Sequence, residues 1–149
     1  MIRDATHADI LKCEQLAAEF YSRWNTRGQF SGQYFIEYWG KIFEAGIGRI
    51  LLRESDGKPM EALGFVIHPS LAGKPAISTV FWYVADEPQG LASGALLDRF
   101  IEEADKLKAT EIRIALLVDE RLVRIASTLK QYGFTAYEMV YLKESSICR

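Results

Sequence analysis

The stretch Ile77-Ser78-Thr79-Val80-Phe81-Trp82-Tyr83-Val84, followed after Ala85 by Asp86-Glu87-Pro88-Gln89-Gly90-Leu91-Ala92-Ser93-Gly94, decides the reading of the chain. Its first half is dense in β-branched and aromatic residues, the composition of a strand. Its second half is small and glycine-containing, and it runs into Leu97, Phe100, Ile101, Ala104 and Leu107, apolar positions at helical spacing. A strand that stops at such a loop and resumes as a helix collects free backbone N–H groups at one point. The first turn of any α-helix has donors without intrahelical partners, and the helix dipole adds partial positive charge there. Such an end holds a phosphate without a basic side chain. Gly90, Ala92, Ser93, Gly94 and Ala95 would let a ligand approach the main chain closely. The alternative is that Gly90 and Gly94 only shape a tight loop against a sheet, since glycine punctuation is common.

Working outward, residues 49–53 and 62–68 alternate as two strands around the turn-forming Glu54-Ser55-Asp56-Gly57-Lys58-Pro59, an antiparallel hairpin. Before it, residues 3–5 are extended and Thr6-His7-Ala8-Asp9 resembles a helix cap with an acidic residue three positions on. Cys13, Leu16, Ala17, Phe20, Tyr21 and Trp24 then mark an amphipathic helix. Ser31 caps a second helix, with Phe35, Tyr38, Trp39, Ile42 and Phe43 as its buried stripe and Gly46 at its end. After the loop helix, residues 112–118 are an apolar strand, and Leu122, Ile125, Ala126 and Leu129 mark a further helix opened by Asp119 or Glu120. Gly133 stops that helix, and residues 134–143 are a last strand. The expected order is β-αα-β-β-β-α-β-α-β, an α/β (α+β) fold with a mixed, mostly antiparallel sheet and helices on both faces. No repeat or linker divides it, so residues 1–149 are expected to be a single domain.

A chain of 149 residues, 49% hydrophobic and 26% charged, is long and apolar enough for a core of its own. Disorder and low-complexity structure are excluded. The 18 cationic residues are scattered among 20 acidic ones, so no nucleic-acid partner is expected. No run approaches a membrane span and Met1-Ile2-Arg3-Asp4 opens no signal segment, so no membrane partner is expected. Cys13 and Cys148 form no CxxC pair or Cys/His cluster. No metal is expected, and the reducing cytoplasm is the expected compartment. A GxxxxGK[ST] loop is absent, and GxGxxG does not follow a first strand, which removes the two commonest nucleotide loops. A serine hydrolase is rejected for want of GxSxG and of a plausible Ser/His pairing.

Within this order, Gln89-x-x-Ala92-x-Gly94 resembles the Q/R-x-x-G-x-G/A signature of GNAT N-acetyltransferases, whose loop amides hold the pyrophosphate of acetyl-CoA. Trp82-Tyr83-Val84 and Gly94-Ala95-Leu96-Leu97 resemble the family's fourth strand and third helix. Tyr132-Gly133-Phe134 resembles its Y/L-G-F, and Ile2-Arg3-Asp4-Ala5 a typical opening. Ala92 stands where the family usually has glycine, a change tolerable at negative φ. The resemblance implies a sheet of 6–7 strands. It also implies that Val84, Gln89, Gly90, Leu91, Ala92, Ser93, Gly94 and Ala95 bind acetyl-CoA, and that an acetyl group passes by direct attack to a primary amine of a small molecule or peptide. A homodimer, with residues 134–141 as interface strand, is implied by the same analogy.

Direct attack needs a cleft between splayed strands, here the end of 77–84 and the start of 112–118, with backbone N–H groups near Val84 polarising the acetyl carbonyl. It also needs a base for the amine. The family often places a glutamate on the fourth strand, where this chain has Ser78 and Thr79. Glu87 and Asp86 lie beyond that strand, and Glu61 and His68 flank the one before. Each reads equally as a surface or strand-end polar group. Leu129 occupies the position where many members carry a thiolate-protonating tyrosine, which leaves Tyr83 and Tyr132 as substitutes that read equally as core aromatics. Trp24, Phe30 and Tyr34 are candidates for an acceptor pocket. Two other readings stand beside the enzyme: a GNAT-fold module that binds CoA with little or no catalysis and acts through protein interaction, and a structural domain whose loop binds nothing.

Overall fold

Asp56 and Gly57 turn the chain at positive φ, 50° and 74°, between two strands, β2 (Gly48–Ser55) and β3 (Lys58–Pro69). A pair of left-handed residues matches the twist of the strands it joins, which is why Asp-Gly serves here. The computed structural model describes residues 1–24, 30–85, 94–118, 121–143 and 145, with Trp24 described in its backbone alone. Strand β1 (Ile2–Asp4) pairs antiparallel with β2, and β4 (Pro75–Val84) pairs antiparallel with β3. Strand β5 (Glu111–Arg113) runs parallel to β4, giving the spatial order β1-β2-β3-β4-β5. The helices are α1 (Ile10–Trp24), α2 (Gly32–Ala45), α3 (Gly94–Lys106) and α4 (Leu122–Gln131). Residues Met1–Ala115 form one compact unit and Leu116–Arg149 a second.

The expected helix ends are built as the residue types dictate. The Ser31 hydroxyl accepts from the Tyr34 N–H at 3.2 Å, and Gly46 closes α2 at φ 66°. In the second unit, the N–H of Phe134 bonds the carbonyl of Leu129 and that of Gly133 bonds Lys130, both at 3.0 Å, with Gly133 at φ 87°. This is a Schellman cap, so Tyr132-Gly133-Phe134 has a local physical cause. Ahead of α1, Thr6 and Asp9 form the expected capping box.

Side chains alternate to give the sheet two apolar faces. Ile50, Leu52, Ala62, Phe81 and Tyr83 pack with Leu16, Phe20, Phe35 and Trp39 of α1 and α2. Their neighbours Leu51, Leu63, Phe65 and Ile77 are equally buried on the other face, where the Phe65 ring lies 5.2 Å from that of Phe100 on α3. Glu103 of α3 is buried beneath Arg49 at 2.7 Å, Arg99 at 2.8 Å and Lys106 at 3.0 Å. Burial alone would raise its pKa, but the three cations hold it below the ordinary carboxylate range. Cys13 sits in the core, and burial pushes its thiol up to about 12, which leaves it inert.

The strand count differs from expectation. The described residues hold five strands where six or seven are expected. The strand expected over 112–118 pairs only as Glu111–Arg113, and residues 134–143 join no ladder among the described residues. Tyr137, Met139, Val140, Tyr141 and Leu142 are all exposed, so the segment lacks the one buried face that turns β-propensity into a strand.

Two changes test this packing. A Cβ added at Gly64 would run into the Phe81 ring and come within 2.7 Å of Trp39. Gly64→Ala should therefore cost about 1–3 kcal/mol in urea unfolding, and an unchanged midpoint would contradict the close approach. The Asp9 carboxylate accepts from the Arg3 guanidinium at 2.6 and 3.0 Å and from the Thr6 N–H at 2.8 Å, which holds its pKa well below the ordinary value despite burial. A lowered folded-state pKa gives stability that is present above the unfolded value, about 3.9, and is lost as pH falls below it. Stability should hold steady down to about pH 5 and decline below about pH 4. Asp9→Asn should start about 2 kcal/mol lower and decline less steeply.

Candidate functional site

Strand β4 changes its relation to both neighbours at one place. Toward β3, Phe65 faces Thr79 and Gly64 faces Phe81, so Val80 has no opposite number. This is a β-bulge, which bends and twists the strand that carries it. Toward β5, the register runs Ala76 with Glu111, Ile77 with Ile112 and Ser78 with Arg113, and there it stops. The next chain amide on that side, Ala115 N–H, is taken at 3.0 Å by the Thr79 side-chain hydroxyl. A side-chain acceptor at this point replaces the backbone acceptor that a continued ladder would use.

Beyond the bulge, β3 is the one strand that pairs with β4 among the described residues. The Ala85 N–H donates to the Met60 carbonyl at 2.8 Å, and the backbone alternates along a strand. Phe81 and Tyr83 therefore turn their N–H and C=O groups toward β3, while Trp82 and Val84 turn theirs to the opposite edge. Among the described residues no strand pairs with β4 on that edge past Ser78. The Val84 carbonyl accepts from Arg23 Nη2 at 2.8 Å, a contact from the end of α1 that sequence reading missed. Among the described residues this leaves the Val84 amide as a donor at the strand end, two residues before the 86–93 stretch.

The sequence-derived candidates fall into three groups. Gln89, Gly90, Leu91, Ala92 and Ser93, together with Glu87 and Asp86, lie outside the described residues. Gly94 and Ala95 open α3, half-buried and exposed, so that helix begins on two small residues ahead of the buried Leu96 and Leu97. Val84 is the half-buried terminus of β4. Tyr83 lies in the α1/α2 core, 4.7 Å ring to ring from Phe20 and stacked at 4.6 Å on Phe81. Burial, and then a hydrogen bond with Tyr21, raise its pKa far above the ordinary phenol value, so it stays protonated at any working pH. Tyr132 is partly exposed at the C-cap of α4, and its N–H bonds Leu129 O at 3.0 Å.

The remaining polar candidates are engaged. Glu61 is fully buried, with its carboxylate accepting from Trp82 Nε1 at 2.7 Å and Arg53 Nε at 2.9 Å. It stands opposite Val84 and ties the far end of β4 to β3. His68 bonds Ser78 at the other end of the strand. Of the aromatics proposed for an acceptor pocket, Phe30 stacks on Tyr21 at 5.0 Å, while Tyr34 is exposed and stacks on Tyr38 at 6.1 Å. The Trp24 side chain lies outside the described residues. Three or more metal-ligating side chains are nowhere grouped among the described residues, and no described helix is long and apolar enough to cross a membrane.

Thr79→Val keeps the shape of the side chain and removes the acceptor. The Ala115 amide should then exchange with deuterium faster, with a stability loss of about 1–3 kcal/mol. Unchanged protection at Ala115 would mean that another acceptor holds the end of β5.

No family model matches the sequence, and no curated protein matches it. Solved structures do. A predicted acetyltransferase with acetyl-CoA from Clostridium acetobutylicum is 16% identical, with a TM-score of 0.74 over 99% of this chain and 96% of that one. The ribosomal-protein-alanine N-acetyltransferase of Brucella melitensis biovar Abortus 2308 is 17% identical, with a TM-score of 0.72 over 97% and 98%. The aminoglycoside antibiotic 6'-N-acetyltransferase of Acinetobacter haemolyticus is 18% identical, with a TM-score of 0.69 over 97% and 98%. At these identities the likeness carries the architecture, and the mixed, mostly antiparallel sheet with its helices is the GNAT N-acetyltransferase fold.

Proposed function

We propose that residues 1–149 are a single acyltransferase domain that moves an acetyl group from acetyl-CoA to a primary amine of a small molecule or peptide. The observation that carries this reading is the open edge of β4, with the Val84 amide at its end and the start of α3 at Gly94 and Ala95 following residues 86–93. The fit rests on donor chemistry. A ligand combining an amide-bearing arm with a pyrophosphate asks for a strand edge and a helix N-terminus, and this chain presents both in sequence. Val84 and residues 89–95 are assigned to hold it. The names of the matched structures, one acting on a ribosomal protein's alanine and one on an aminoglycoside, support an amine acceptor of either size.

Acetyl-CoA supplies the activated acetyl thioester. The chain's part is to hold the carbonyl near the Val84 N–H, where negative charge develops when the amine attacks, and to take a proton from the amine. Glu87 is the carboxylate assigned to that proton. Tyr83, locked in its protonated form, serves only as a hydrogen-bond donor, which leaves Tyr132 as the candidate acid. A CoA thiolate leaves readily, so Leu129 in place of the usual tyrosine is compatible with turnover. The same residue supports the second reading, a CoA-binding module with weak or no catalysis that acts through protein interaction. We assign the protein to the cytoplasm, and the exposed run from Tyr137 to Leu142 supports a homodimer.

Acetyl-CoA titrated into the protein in a calorimeter should give saturable heat. Gly94→Glu, which puts bulk and negative charge at the first turn of α3, should weaken binding at least about tenfold. Equal affinity in the variant would mean that the ligand sits elsewhere. Release of CoA thiol across a panel of amines separates the enzyme from the module: release with any amine supports transfer, and silence across the panel with intact binding supports the module.

A further inference from the structure

Near the start of β4, far from the acyl edge, two side chains meet whose pairing no sequence motif marks. His68 Nε2 lies 2.6 Å from Ser78 Oγ, and His68 Nδ1 lies 3.0 Å from the carbonyl oxygen of Pro69. A carbonyl only accepts, so Nδ1 carries the ring hydrogen and donates it. Nε2 of a neutral imidazole is then the acceptor, and the Ser78 hydroxyl donates to it. A hydroxyl bonded to a ring nitrogen whose tautomer a third group fixes is the arrangement of an activated nucleophile and its base.

The register explains how the pair arises. Ser78 stands opposite Val66 and His68 opposite Ala76, so the two are diagonal neighbours on one face of the β3–β4 ladder. Both are half-buried, so the hydroxyl is neither sealed in the core nor fully hydrated. Arg113, hydrogen-bonded to Glu111 at 2.8 Å, occupies the β5 position beside Ser78. Six residues of strand separate Ser78 from Val84, roughly 20 Å, so this pair is independent of the acyl-CoA reading.

We propose that Ser78 and His68 form a second reactive site, a nucleophile–base dyad that takes an acyl group from a small aryl ester. Ser78 Oγ bonds to the ester carbonyl carbon as His68 Nε2 takes the hydroxyl proton. Collapse breaks the carbon–oxygen bond to the aryloxide, which leaves with that proton as a phenol, and Ser78 keeps the acyl group as an ester. The GxSxG elbow with its paired amides is missing from the sequence, which restricts the site to esters with a good leaving group.

The test uses the full chain and p-nitrophenyl acetate. The expected result is a stoichiometric burst of nitrophenol, with one acetyl group found on the peptide containing Ser78 by mass spectrometry. Ser78→Ala should abolish both, and His68→Gln should slow the burst roughly a hundredfold. An acetyl group on lysines alone, or a burst indifferent to His68→Gln, would overturn the proposal. Ser78→Cys gives a second readout that needs no oxyanion help. Its alkylation by iodoacetamide, read on the same peptide, should be at least about tenfold faster with His68 than with His68→Gln. Equal rates would also overturn the dyad.

Discussion

The structure depends on one constraint, that β4 cannot keep both of its neighbours along its whole length. Gly64 admits the rings of Phe81 and Trp39 against the β3 backbone, and the extra residue Val80 absorbs the resulting slip in register. On the other side the Thr79 hydroxyl takes the Ala115 amide that would have continued the β5 ladder. Each device alone would be a local irregularity. Set side by side in three consecutive residues, they turn a five-stranded sheet into one with an open inner edge, and they do so without leaving the Ala115 amide unpaired.

That edge is held open by what surrounds it. Tyr83 and Phe81 anchor the far half of β4 in the α1/α2 core, while Glu61 grips Trp82 from the opposite face. Arg23 takes the last carbonyl of the strand. The outer turn of α3 is fixed by the cations around Glu103. The strand therefore ends in a defined orientation, with its Trp82 and Val84 groups turned to the edge away from β3. The same rigidity keeps Tyr83 from carrying a proton, because burial holds it in one protonation state.

Much of this was legible in the residues. Apolar spacing marked α1 to α4, Asp56-Gly57 marked the hairpin, and Ser31, Gly46 and Gly133 marked helix ends, because each is a local preference that tertiary packing did not override. The order of elements, more than the loop motif alone, pointed to the fold. What stayed hidden was non-local. The bulge at Val80 is a relation between two strands, with no signal in either. Thr79 and Ser78 read as ordinary strand residues until register set one against Ala115 and the other against His68. The strand expected over 134–143 joins no ladder among the described residues for the converse reason: its residues favour extended structure, but that propensity becomes a strand on a half-buried surface, and these side chains are exposed. Residues 86–93, which carry the motif, lie outside the described residues, so the proposed site rests on the edge that leads to them and on the helix that follows.

Amide hydrogen exchange along β4, with and without acetyl-CoA, addresses the open edge directly. In the free protein the amides of Phe81 and Tyr83, bonded to β3, should be protected, while those of Trp82 and Val84 exchange fast. Ligand should slow Val84 and leave Phe81 and Tyr83 unchanged. Protection of Trp82 and Val84 already present in the free chain, or a Val84 amide indifferent to saturating acetyl-CoA, would contradict the account.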